Sequence, residues 1–148
     1  MKAKQAPRPA GPTLEVVGLE PLVTCLPRRS VAEAHELMET SGAPGVVVVH
    51  EGGVPVGVFG REKLRSPPLP PRVPWDELPV GPYAKRCRVV FTPHTPARDA
   101  VRLLHRRGLS FAPVRGPDGK LAGVVSQQAL EKVTHRAATI TTPTPVAQ

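Results

Sequence analysis

Five histidines and two cysteines are the side chains of this 148-residue chain best suited to hold a metal or act as nucleophiles. His35, His50, His94, His105 and His135 stand in no H-x-x-x-H or H-E-x-x-H spacing, and neither Cys25 nor Cys87 has a close His or Cys companion. Those spacings disfavour a metal centre. Two thiols are too few for a disulfide framework, so a reducing cytoplasm is the expected compartment. Gly52-Gly53 and Gly116-Pro117-Asp118-Gly119 are glycine-bearing turns, but neither has the spacing that cradles phosphate. No catalytic residue is assigned and no enzyme is expected.

The elements that must position any site come in two copies. With an offset of 66 and no gap, Pro27, Ala34, Leu37, Gly42, Val48, Gly53, Gly57, Val58 and Leu64 fall on Pro93, Ala100, Leu103, Gly108, Val114, Gly119, Gly123, Val124 and Leu130. In the second copy Pro96 opens a helix whose Ala97, Ala100, Val101 and Leu104 form a buried stripe that Gly108 ends. In the first, Ser30 is the predicted N-cap, Glu33 its capping-box partner and Gly42 the stop. Short strands at Val46 to Val49 and Phe111 to Val114 lead through turns to strands at Val54 to Phe59 and Lys120 to Val125. A short closing helix then begins at about Arg61 or Gln127, and extended pieces, Leu22 to Leu26 and Arg88 to Phe91, precede each copy.

The chain thus divides into an N-terminal tail and lead-in strand (1–21), a first repeat (22–65), a proline-rich linker (66–84), a second repeat (85–136) and a C-terminal tail (137–148). Ten of the 20 prolines are Pro7, Pro9 and Pro12 near the N-terminus and the seven of the joint, so Ser66 to Tyr83 is predicted as a stiff, extended linker rather than a sign of disorder. The longest strongly apolar stretch, Gly45 to Val49, is far short of the ~18 residues of a membrane span, so no membrane is expected.

A β-α-β-β-α unit with a proline before its first helix, a glycine after it and a late Gly-apolar-apolar-Thr/Ser-x-x-Asp-like segment resembles the cystathionine-β-synthase (CBS) domain. Two in tandem resemble a Bateman module. The resemblance implies an α/β (α+β) fold, with the two repeats packed about a pseudo-twofold axis and two clefts for adenosine-based ligands. Family clefts join the start of one repeat to the late motif of the other, which pairs Thr24 with Ser126, and Val90 with Gly60 and Lys63. Val46 and Val47 would wall the first cleft, and Ala112 and Pro113 stand at the matching positions of the second repeat. The chain departs from the family where a carboxylate would take the ribose hydroxyls: Lys63 and Ala129 replace Asp. What the resemblance implies is a non-catalytic regulatory sensor of AMP, ADP, ATP or a related anionic metabolite, requiring no cofactor and acting on an unidentified regulated protein. The alternative is a ligand-free dimerisation or interaction scaffold.

The formal charge of +8 is lopsided. Residues 85–136 carry eleven bases and three acids, whereas 22–65 carry five of each. Arg98, Arg102 and Arg106 recur on one helix face, and the equivalent helix bears Glu33, Glu36 and Glu39. Such a stripe is either a solvated face or one side of a head-to-tail homodimer in which the two helices attract. A third, less favoured reading is nucleic acid or another polyanion attracted to the basic second repeat; against nucleic acid, no helix-turn-helix or zinc-finger pattern accompanies the bases and Trp75, Tyr83 and three Phe make no stacking platform.

Overall fold

The computed structural model describes residues 11–65 and 69–141, with side chains to residue 134. The N-terminal bases Lys2, Lys4 and Arg8, the linker residues Ser66, Pro67 and Pro68, the tail prolines Pro143 and Pro145 and the His135 side chain lie outside the described residues.

A short helix α1 (Leu14–Val17) leads to β1 (Thr24–Cys25), α2 (Val31–Ser41), β2 (Gly45–Val49) and β3 (Pro55–Gly60). Then come β4 (Lys85–Arg86), α3 (Ala97–Arg107), β5 (Phe111–Arg115), β6 (Leu121–Ser126) and α4 (Gln127–Thr141). The repeat is kept element by element: Val31 to Ala97, Gly45 to Phe111 and Pro55 to Leu121 are each 66 positions. Ser30 caps α2 reciprocally, its Oγ accepting from Glu33 N at 3.1 Å while Glu33 Oε1 accepts from Ser30 N at 3.0 Å. Gly42 and Gly108 end the two helices at φ +75° and +66°, a left-handed conformation that side chains disfavour.

Each repeat lends an edge to the other. β1 to β4 form one sheet and β5 and β6 a second, and β4, which opens the second repeat, pairs antiparallel with β3 of the first. Reciprocally, Glu20, which precedes the first repeat, bridges Val124 in β6. Room for these crossings comes from glycine. A Cβ on Gly57 would lie 3.0 Å from Lys85 O, and one on Gly123 2.7 Å from Leu19 Cβ.

The expected strand at Leu22 to Leu26 is trimmed to β1, and its counterpart at Arg88 to Phe91 is reduced to one parallel bridge between Phe91 and Val114. Proline explains the loss. In the first repeat Val47 N donates to Val23 O at 2.9 Å, and the equivalent residue of the second repeat, Pro113, has no N–H. The closing helices differ as well. Ser126 Oγ accepts from Ala129 N at 3.1 Å and starts a 15-residue α4 that runs past the expected end at Arg136. Gly60 offers no such cap, so Arg61–Leu64 makes only a 3-10 turn before the sequence Ser66-Pro67-Pro68.

Nor is the joint an extended spacer. Trp75–Glu77 and Gly81–Tyr83 are 3-10 turns, Leu78 and Val80 are buried in the first core, and Val31 N donates to Leu78 O at 2.8 Å. Apolar residues interleaved among the prolines make this strap adhere to α2, where Trp75 meets His35 edge to face at 5.4 Å.

All of β2 is buried because it is covered on both faces. Val46 and Val48 join Val31, Met38 and Phe59 in the first core, whereas Val47 and Val49 join Phe111, Val114 and Val124 in the second. The second core also takes Leu14, so α1 is built into the fold rather than trailing from it.

Candidate functional site

The two late motifs approach each other across a cleft of about 490 Å³, lined by Glu20, Pro44, Arg61, Glu62, Ser110 and Ser126 among others. β6 delivers Ser126 to the start of α4, where it is buried and its hydroxyl caps the helix. Its backbone N–H donates to Glu20 Oε2 at 2.7 Å. A carboxylate there gains both the hydrogen bond and the positive end of the helix dipole. Glu20 itself is fixed by two backbone bonds with Val124, at 2.8 and 3.1 Å. Sequence reasoning missed Glu20; its one signal was its place 66 residues before Arg86, in the lead-in segment that swaps edges.

The cleft is acidic. Ser110 Oγ donates to Glu62 at 3.3 Å. Glu131 on α4 completes the wall, and hydrogen bonds from His105 and Gln127 hold its carboxyl below the usual carboxylate range. The one arginine lining this cleft is committed elsewhere: Arg61 Nη1 donates to Glu39 Oε2 at 2.8 Å, Nε to Ala43 O at 3.0 Å and Nη2 to Met38 O at 2.9 Å. Donors such as ribose hydroxyls suit these walls better than phosphate.

The other residues singled out from sequence are dispersed. Thr24 is exposed on β1 and lines a different groove, of about 560 Å³, with Leu26, Arg29, Glu33, Glu36 and Leu37. The structure does not bring it together with Ser126. Val46, Val47 and Ala112 are wholly buried and Pro113 is buried, with Val46 and Val47 pointing into different cores. Val90 is half-buried and opens on a third groove, shared with Arg86, Arg88 and Arg115. Lys63, half-buried in the 3-10 turn, lines none of these three cavities.

Both cysteines are buried and unbridged. Burial pushes the Cys25 thiol up to about 11, with Glu33 adding to the rise and Arg29 opposing it, and burial also raises Cys87. Thiols so shifted carry little thiolate near neutrality. Among the described residues no group of three or more His, Cys, Asp or Glu is placed to hold a metal ion. No described helix is long and apolar enough to cross a membrane.

A family model for the CBS domain matches residues 16–66 and 80–135. Among solved structures, CBSX2 in complex with AMP is 24% identical over 86% of this chain and 99% of its own, with a TM-score of 0.60; CBSX2 is an Arabidopsis thaliana CBS-pair protein. The CBS domain protein PAE2072 from Pyrobaculum aerophilum, complexed with AMP, is 20% identical over 86% and 98%, with a TM-score of 0.67. ATU1752 from Agrobacterium tumefaciens is 20% identical over 82% and 98%, with a TM-score of 0.66. At these identities the likeness carries the fold alone. No curated protein sequence matches the chain.

Proposed function

The chain belongs to the CBS-domain family, with two copies in tandem, and from that premise we propose that it is a non-catalytic regulatory module that binds an adenosine-containing ligand in the cleft beside Ser126. The observation that carries this reading is the Glu20 carboxylate held on the Ser126 N–H at 2.7 Å. Both late motifs lack the family's ribose carboxylate, having Lys63 and Ala129 in its place. Glu20 supplies a carboxylate to the same cleft from the other end of the chain, and its second oxygen, which makes no hydrogen bond among the described residues, can accept from a ribose hydroxyl. Two solved relatives of the same fold are described in complex with AMP. A ligand bridging Glu20, on the lead-in to the first repeat, and Ser126, at the end of the second, favours one spacing of the two and so shifts the shape shown to a regulated partner.

Calorimetry with adenosine, AMP, ADP, ATP, NAD and S-adenosylmethionine tests the proposal. At least one is expected to bind, and Glu20→Gln to weaken it about tenfold, the scale of one charge-assisted hydrogen bond. The Gln side-chain oxygen can still accept from Ser126 N, so the variant should fold normally. No heat and no melting shift with any of the six removes the sensor reading and leaves a ligand-free scaffold.

The exposed stripe of Arg98, Arg102 and Arg106 favours a homodimer as the form in which the module works. None of the three makes an ion pair among the described residues. On α2, Glu33 and Glu39 are engaged by Arg29 and Arg61 within the chain, so Glu36 is the carboxylate left to attract a second copy. Sedimentation is expected to give a dimer at low salt that weakens at high salt, since exposed charges are screened. A monomer at both would end the idea.

A further inference from the structure

The groove beside Val90 has chemistry opposite to that of the cleft at Ser126. Its cavity, about 570 Å³, is lined by Arg86, Arg88, Arg115 and His50 together with Val54, Pro55, Val56 and Val90. No carboxylate lines it, and among the described residues none of the three arginines makes an ion pair or a side-chain hydrogen bond.

Backbone geometry explains the convergence. Side chains alternate along extended chain, so with Cys87 and Phe91 buried in the second core, Arg86, Arg88 and Val90 fall on the opposite side. Arg115 arrives from the end of β5, where the pairing slips between Val114 and Arg115 and the residue turns from the buried run to solvent. Repeat symmetry does not produce this cluster. Sixty-six positions away from Arg86, Arg88, Val90 and Arg115 stand Glu20, Leu22, Thr24 and Val49, with no cation among them.

We infer that this groove is a second binding site, for a small molecule bearing a di- or triphosphate chain. Three guanidinium groups around one cavity match the oxygens of linked phosphates, which they bind in a planar, forked geometry. The size falls within the range of roughly 300–1,000 Å³ usual for small-ligand sites. Val54, 58% exposed, with Val56 and Val90 gives the groove an apolar strip that can carry an organic group joined to the phosphates. The lining has no aromatic side chain on which successive bases of a nucleic-acid strand would stack.

Titrating the full chain with inorganic tripolyphosphate, ATP and adenosine at about 150 mM salt, a Debye length of ~8 Å, tests the site. Tripolyphosphate and ATP are expected to bind, ATP more tightly if the apolar strip contributes and equally if phosphate alone is read. Arg88→Gln with Arg115→Gln should weaken tripolyphosphate binding about 100-fold, one factor of ten for each lost guanidinium, with an unchanged melting temperature because both side chains are exposed. Adenosine binding at the Glu20 cleft should be untouched by that double variant, and Glu20→Gln should leave tripolyphosphate binding intact, so the two sites fail independently. Absence of tripolyphosphate binding, or equal binding by the double variant, overturns the inference. So does a short oligonucleotide that binds more tightly than tripolyphosphate and is not displaced by it.

Discussion

Gly45→Ala is expected to lower the melting temperature by about 6–12 °C, the equivalent of roughly 3 kcal/mol for a domain of this size. Gly45 opens β2 and stands at the same repeat position as Phe111, which opens β5. The two meet where the repeats pack, and the large ring of one fills the space left by the missing side chain of the other. A Cβ on Gly45 would lie 2.5 Å from Phe111 Cε1, 2.6 Å from its Cζ and 2.6 Å from Phe59 O. The ring is wholly buried, so it cannot swing aside without displacing its neighbours, and the carbonyl belongs to β3, which is paired with β2. Overpacking of this kind is relieved only by backbone movement. Gly52→Ala is the control: a Cβ there meets nothing within 4 Å, and its effect should stay within about 0.5 kcal/mol. Adding Phe111→Leu should restore part of the loss in the Gly45→Ala background while destabilising the parent, a coupling that independent sites do not show. If Gly45→Ala melts within a degree or two of the parent, the repeats do not pack as described.

That pair also marks where the repeat was legible and where it misled. Helix starts and stops at Ser30, Gly42, Pro96 and Gly108 could be read because capping and left-handed glycine are local. The two hairpins could be read because apolar runs and turn residues are local too, whereas the lead-in strand expected at Arg88 to Phe91 forms only a single bridge. Which sheet an edge joins could not, because β4 pairs backwards with β3 through Gly57 while Glu20 bridges β6, and periodicity carries no information about such long-range choices. The strap through Leu78 and Val80 was hidden by its prolines, whose stiffness suggested a spacer although the residues between them are core residues. The pairing of Thr24 with Ser126 came from family resemblance, and the structure sets the two on different grooves. Differences between the copies, such as Glu20 against Arg86 and Leu22 against Arg88, made one cleft acidic and one groove basic. Such differences are visible in sequence only once the swapped edges are known.

Leu14→Ala should cost about 2–5 kcal/mol, the usual range for emptying a buried leucine site, although the residue lies in a stretch that reads as a tail. A helix of four residues has no stability of its own, so α1 persists through what holds it. Leu14 is wholly buried in the second core. Leu14 N donates to Thr95 O and Glu15 N to Pro93 O, each at 2.9 Å, and in return Ala97 N donates to Pro12 O at 2.8 Å. The last bond explains why the segment is needed. Every helix starts with N–H groups that lack an internal partner, and α2 meets one of them with the Ser30 hydroxyl, whereas the N-cap of α3 is Pro96, which has no side-chain acceptor. The N-terminal segment takes over that role, so its anchor and the start of α3 should loosen together. Hydrogen exchange at Ala97 is therefore expected to accelerate in Leu14→Ala well before exchange at Glu33, whose N–H is capped within its own repeat. Exchange that quickens equally at both sites would show global unfolding without a docking role, and unchanged stability would show that Leu14 is not the anchor. Glu20 lies six residues further along the same segment, tied to Val124 by its own backbone bonds. Undocking α1 should therefore weaken adenosine-type binding by less than Glu20→Gln does, which separates loss of the anchor from loss of the ligand contact.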